Sequence, residues 1–196
     1  MDNRHRCGWV TGDALYQEYH DKEWGVPQYN DDVLFEFLLL EGLQAGLSWI
    51  TILKKREAYR EVLDGFAAAK IVAYNKEKMD TLLSDSRLIR NRLKMAAIVK
   101  NANAFLQVQQ ETGSFAEYIW RFIGGKPRQN SWKSLQEVPA QTVESEVMSK
   151  ALRKKGFSFV GPTICYAYMQ AVGMVNDHVV DCFRHNELLE ASNKEG

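Results

Sequence analysis

ALRKKGFSFVGPTICYAYMQ, residues 151–170, is the stretch whose reading decides the fold. A helical pattern ends in the basic run Arg153-Lys154-Lys155. Gly156 follows, a natural residue just past a helix end because it adopts positive φ without a Cβ clash. In the short turn after it, Phe157, Phe159 and Val160 would anchor the chain in the core. Gly161-Pro162-Thr163 then opens a second, apolar helix with proline at its first position, where the missing N–H is no loss. The product is two helices joined by a glycine-bounded hairpin at about 156–161. Its turn N–H groups and the second helix's N-terminus form a ready phosphate site. Gly156, Phe157, Gly161 and Thr163 are the expected contacts. An ordinary αα-hairpin with glycine caps shares this local pattern.

Working outward, alternating β-patterns are scarce and 3.6-residue periodicity is frequent, so the class expected is all-α. Helices are expected near 13–22, 31–41, 46–63, 67–74, 76–83, 86–110, 114–124, 144–154, 161–173 and 178–183. The longest places Leu88, Ile89, Leu93, Ala96, Ala97, Val99 and Phe105 in an apolar stripe, with Arg90, Arg92 and Lys94 opposite. KPRQNSWKSLQEVPA, residues 126–140, has two prolines and no clear period and reads as a loop. One helical domain is expected over 1–185, with a polar tail, 186–196, that frays.

The chain has 196 residues, 45% of them hydrophobic, enough for a sizeable core. Its 25 Lys and Arg balance 25 Asp and Glu, which argues against a globally basic nucleic-acid binder but allows a local basic face. No run of about 18 apolar residues predicts a membrane span. MDNRHRCGWV lacks the apolar segment of a signal peptide. Three cysteines, an odd number, suit a reducing compartment. The expectation is a soluble cytoplasmic monomer.

LLLEGLQAGLSWI, residues 38–50, raises a chemical question, since its one carboxylate is Glu41. On a helix begun by Asp31 and Asp32, Glu41 shares a face with Leu34, Phe37, Leu38, Ala45 and Trp49. A carboxylate buried there must be paired, protonated or kept for a ligand. A core glutamate held by an arginine or a backbone N–H is the plain alternative. Gly42 and Gly46 either weaken this helix or let something approach its backbone.

Cys7, His20, His178 and Cys182 carry metal-ligand chemistry. On a helix, His178 and Cys182 at i, i+4 would point the same way. Cys7 and His20 could complete a Cys2His2 set, which in zinc sites is structural. C-x12-H followed far away by H-x3-C is not a finger spacing, and His5 and His185 compete. By spacing alone, free cysteines and surface histidines stand as well. A zinc deaminase is discarded, because no C-x-x-C exists and the histidine of HDKE gives H-x-x-E rather than H-x-E.

The hairpin resembles that of base-excision DNA glycosylases. RCGWV, YHDKEWGVP, LEGLQAGLSWITILKKRE and KKGFSFVGPTICYAYMQAVGMVNDHVVDC extend the likeness from residue 6 to 182. Together they resemble the DNA-3-methyladenine glycosylase I family, the constitutive bacterial enzymes. The resemblance implies a helix-hairpin-helix glycosylase fold whose ends are joined by a structural Zn2+ on Cys7, His20, His178 and Cys182. It implies a pocket with Glu41 and Tyr19 as catalytic residues and Trp49, Tyr16 and Trp9 around the base. Gln44 and Leu47, in the QAGL turn, match the family's probe into the gap a flipped base leaves. Double-stranded alkylated DNA is then the substrate and 3-methyladenine the product, in the bacterial cytoplasm at the nucleoid.

With no lysine in GPTICYAYM, a monofunctional hydrolase is expected. Asp177 is open between a catalytic and a supporting role beside His178. Trp24 reads as core. Lys54, Lys55, Arg56 and 153–155 could add phosphate contacts or simply be solvated. A glycosylase of wider alkyl-base range, a non-enzymatic DNA-binding module with structural zinc, and a zinc hydrolase with an open coordination position are the competing readings.

Overall fold

The computed structural model describes residues 4–194. Its helices are α1 (Ala14–Lys22), α2 (Asp31–Gln44), α3 (Trp49–Leu53), α4 (Arg56–Val62), α5 (Ala68–Ile71), α6 (Lys76–Ser84), α7 (Arg92–Thr112), α8 (Phe115–Trp120), α9 (Val143–Lys154), α10 (Pro162–Ala171) and α11 (Phe183–Lys194). The chain is mostly helical, as expected, with one short pair of strands besides. The strands β1 (Arg128–Gln129) and β2 (Val175–Asn176) pair in parallel, Arg128 with Val175 and Gln129 with Asn176.

α2 is the axis of the molecule. It is apolar on every side, and Leu34, Phe35, Phe37, Leu38, Leu39, Leu40 and Leu43 are all buried, the pattern of a helix enclosed by others. Asn30 caps its start by accepting from the amides of Asp32 and Val33. Asp31 instead reaches across to cap α8, accepting from Phe115 N and Ala116 N at 2.8 Å each. Packed around α2 are α3, α7, α8 and α10, and α9 lies along α10. No described helix is long and apolar enough to cross a membrane.

Several expected elements differ. The 46–63 helix is two, α3 and α4, with Gly46 in a turn at φ +79°. The 86–110 helix starts only at Arg92, because Asn91 caps it by accepting from Leu93 N and Lys94 N. That shift of phase exposes Leu93 (73%) and buries Lys94, the reverse of the expected stripe. Residues 178–182 form a turn rather than a helix. The expected fraying tail is α11 as far as Lys194. It is docked by Leu188 against the Gly25 turn and by Asn176 Nδ2 donating to His185 O at 3.1 Å. Glu195 and Gly196, the end of that tail, lie outside the described residues.

Candidate active site

α9 and α10 meet through the turn 155–161. Gly156 takes φ +97°, and its N–H closes on Arg153 O. Asn101 of α7 grips the turn twice, accepting from Ser158 N at 2.8 Å and donating to Ser158 O at 3.0 Å. Phe157 and Val160 are buried, as an anchor requires. The Phe157 amide is spent on Leu152 O, so Phe157 supports the turn and offers nothing outward, a correction to its expected contact role. Among the described residues the N–H groups of Phe159, Val160 and Gly161 take no hydrogen bond, and Thr163 is exposed beside them. This turn is built against α2. A Cβ at Gly42 would stand 3.3 Å from Phe159 Cβ, so the glycine following Glu41 is what lets Phe159, at φ +56°, sit close.

The expected phosphate contacts at 54–56 are engaged otherwise. Arg56 is buried between Glu23 (2.6 Å) and Glu36 (2.5 Å), Lys54 pairs with Asp13 (2.7 Å), and Lys55 donates to Arg87 O. Lys155 pairs with Glu111, which leaves Arg153 and Lys154 as exposed cations beside the turn.

Around α2, side chains from several elements line a cavity of about 220 Å³. The segment after Cys7 and α1 supply Trp9, Tyr16, Tyr19 and Trp24. α2 supplies Glu41 and Gln44, α3 supplies Trp49, and α10 with the following strand supplies Gln170 and Asp177. Trp9 lies 5.0 Å from Tyr16 and 5.1 Å from Trp24, and Tyr19 lies 5.4 Å from Trp49, centroid to centroid. Trp24 is thus core and pocket wall together. The 126–140 loop closes the far side with Leu135 and Val138, held there by Val180 N donating to Trp132 O. Sequence reasoning missed Leu135, Val138 and Gln170. Gln170, an amide in an otherwise apolar helix, was the one readable signal.

Glu41 is 4% exposed, and no described residue gives it a hydrogen bond or ion pair. Burial alone pushes its pKa up to about 8. Burial, then the Glu41 charge, holds the Tyr19 hydroxyl well above the usual phenol range. The indole N–H of Trp49 is likewise buried without a partner. Asp177, on the same cavity, is saturated. One oxygen accepts from Asn130 Nδ2 (2.7 Å) and Trp132 Nε1 (2.8 Å), the other from Tyr166 OH (2.6 Å) and Gln170 Nε2 (2.8 Å). These bonds join the loop to α10.

Behind Trp9, whose ring centroid is 5.3 Å from that of His20, the side chains of Cys7, His20, His178 and Cys182 converge. All four are buried, with ligand atoms within 4.8 Å of one another. Cys7 Sγ and Cys182 Sγ each stand 3.5 Å from His178 Nδ1, and Cys182 Sγ stands 3.4 Å from His20 Nε2. Zinc bonds of about 2.0–2.3 Å in a tetrahedron place ligand atoms roughly 3.3–3.8 Å apart, so the set fits. The outer nitrogens fit too. His20 Nδ1 lies 2.8 Å from Asp21 Oδ1, which Arg6 holds, and His178 Nε2 lies 3.1 Å from Trp24 O. Each outer nitrogen therefore carries the proton, leaving a lone pair on the inner one. The competitors are placed elsewhere, His5 exposed and His185 against Asn130 O. Hydrogen bonding from Cys7 lowers the Cys182 thiol, and the same contact raises Cys7.

The chain matches the methyladenine glycosylase family model over residues 9–185. It is 50% identical to DNA-3-methyladenine glycosylase 1 of Escherichia coli, over 90% of this chain and 95% of the relative. A crystal structure of 3-methyladenine DNA glycosylase I superposes with a TM-score of 0.90 at 49% identity, covering 91% of this chain and 98% of the other. Another, solved in complex with 3-methyladenine, superposes at 0.88 with 34% identity, covering 91% and 96%. A pocket walled by three tryptophans, with an unpaired glutamate behind it, therefore sits in a chain that belongs to the methyladenine glycosylase family.

Proposed function

We propose that this protein is a DNA glycosylase that takes 3-methyladenine out of alkylated duplex DNA and hydrolyses its N-glycosidic bond. The observation that carries the reading is Glu41, a buried carboxylate left without a partner among aromatic rings. Such a group is costly unless a ligand completes it. 3-Methyladenine in DNA carries a delocalised positive charge, which a carboxylate pairs with and indole faces attract. Neutral adenine has no charge to offer the same pocket. A cavity of about 220 Å³ lies below the roughly 300–1,000 Å³ of drug-sized sites, consistent with a single base.

The leaving base is already cationic. When the bond from its N9 to the sugar C1′ breaks, the electron pair neutralises it and it departs as free 3-methyladenine. Water oxygen bonds to C1′ and gives up a proton to solvent, leaving an abasic site. The bound cationic base draws the proton off Glu41, whose charge then acts on the developing transition state, and Tyr19 and Trp49 hold the base in place. No lysine lines the cavity, in keeping with a monofunctional enzyme. The turn at Gly156–Gly161 with Thr163 serves as the hairpin of a helix-hairpin-helix element, its free N–H groups on a phosphate and Arg153 and Lys154 beside it. Gln44 and Leu47 enter the gap left by the base. Leu47 is exposed on its turn, as that role requires.

Cys7, His20, His178 and Cys182 hold a structural zinc in this reading, which neutralises both thiolates and ties the two ends together. With four protein ligands no position is open for chemistry. Purified protein is expected to hold one zinc per chain, and chelation to lower Tm steeply; unchanged Tm after full removal would sink the assignment. The activity is tested by chromatography of bases released from methylated duplex DNA. Intact protein should release 3-methyladenine, and Glu41→Gln should release it on the order of a hundredfold more slowly. Absence of released base from zinc-loaded protein would favour the DNA-binding module.

A further inference from the structure

α2 ends without a cap of its own. Its last turn has no basic residue, and the chain leaves it at Ala45 with φ −42° and ψ 114°. The free carbonyls at such an end need donors, and they form the negative pole of the helix. Both needs are met from another helix. Lys94 of α7, 7% exposed, donates Nζ to Leu43 O and Ala45 O at 2.7 Å each. No carboxylate pairs with this ammonium among the described residues, and burial lowers its pKa. An ammonium buried on carbonyls alone is placed by what it holds.

What it holds is the turn that follows Glu41's helix. Beyond the helix bonds of α2, two hydrogen bonds close this turn on itself. Gln44 Nε2 donates to Leu47 O, and Leu47 N donates to Gln44 O, both at 2.7 Å. Gly46 has open space around it, and Leu47 is exposed. Among the described residues, the Lys94 contact with Ala45 O is the one hydrogen bond from this turn to a distant element. Glu41 lies one helical turn back, so the Lys94 contact fixes the turn relative to the pocket.

We infer that Lys94 is a positioning residue for base excision, clamping the Gln44–Leu47 turn so that Leu47 enters the duplex in register with the Glu41 pocket. The inference rests on the reading of that turn as the probe into DNA. Lys94→Met keeps the aliphatic stem and removes the donors. Two affinities of this variant separate positioning from folding: for free 3-methyladenine, followed by tryptophan fluorescence, and for duplex DNA containing a stable abasic-site analogue. Base affinity should stay at the wild-type level, while abasic-duplex affinity and kcat/KM fall about tenfold or more. Lys94→Arg, which also offers donors to two carbonyls, should recover both.

A parallel loss of base affinity would reduce Lys94 to a structural role, and unchanged duplex affinity would overturn the clamp. Should the Met variant fold poorly, Lys94→Gln answers the same question, since its neutral amide is too short to reach both carbonyls as Lys94 does. A wild-type protein that binds abasic and intact duplex equally would overturn the probe reading itself, and this is seen without any variant.

Discussion

Two carboxylates face one cavity from different elements. Asp177, on the α10 side, accepts four hydrogen bonds, while Glu41, on the α2 side, accepts none. Both are nearly inaccessible to solvent. The difference lies in what has been left unmade. A saturated carboxylate is a joint in the scaffold, and an unsaturated one is a binding site waiting for charge. The cysteine–histidine cluster sides with Asp177, since each histidine has an acceptor for its outer nitrogen. Trp49, with its unpartnered N–H, sides with Glu41.

This contrast can be broken in three places. The largest effect on stability is expected at the saturated wall. Asp177→Asn puts an amide NH2 against two donors and should lower unfolding free energy by about 3 kcal/mol, seen in denaturant titration. If Asp177→Asn kept its stability and lost excision, the roles of the two walls would be reversed. At the open wall the sign changes. Burial lifts the Glu41 carboxyl from its ordinary 4.5 to about 8, so it holds its proton up to about pH 8 in the fold. Between those values the unfolded chain ionises first, so wild-type stability falls as pH rises through that window. Glu41→Gln removes the titration. It should match wild type below about pH 4.5 and exceed it by roughly 1–3 kcal/mol near pH 8. A variant less stable than wild type at pH 8 would mean that Glu41 has a partner in the fold. The smallest effect is Trp49→Phe, which deletes the unpaired N–H and should change stability by less than about 1 kcal/mol. A larger loss in thermal unfolding would show that the N–H is paired.

Much of this arrangement was legible before any coordinates. The hairpin residues Gly156 and Gly161-Pro162 carry their backbone geometry in their side chains, or lack of them. Glu41 stood out because apolar neighbours surround it. The Cys and His set was legible only through resemblance, since a 12-residue gap and a distant pair define no local geometry. Illegible were the features set by neighbours far along the chain. Asn91 moves the start of α7 and turns Lys94 inward. Leu135 and Val138 lie in a loop without period, and their place on the pocket depends on the β1–β2 pairing and on Asp177. Asp31 was legible as a capping residue, but its partner, α8, was not.

The Cys7–Cys182 cluster also sets an order of events at the ribosome. Chains emerge N-terminus first, at roughly 5–20 residues per second. Trp9, Tyr16, Tyr19 and Trp24 are made long before His178 and Cys182, which the cluster that backs them needs. α2, α7 and α8 can pack while synthesis continues. The aromatic wall cannot be locked in place until the chain has been made through Cys182. A truncated product of translation would then carry the Glu41 helix without a finished pocket, and so could not cut bases from the genome.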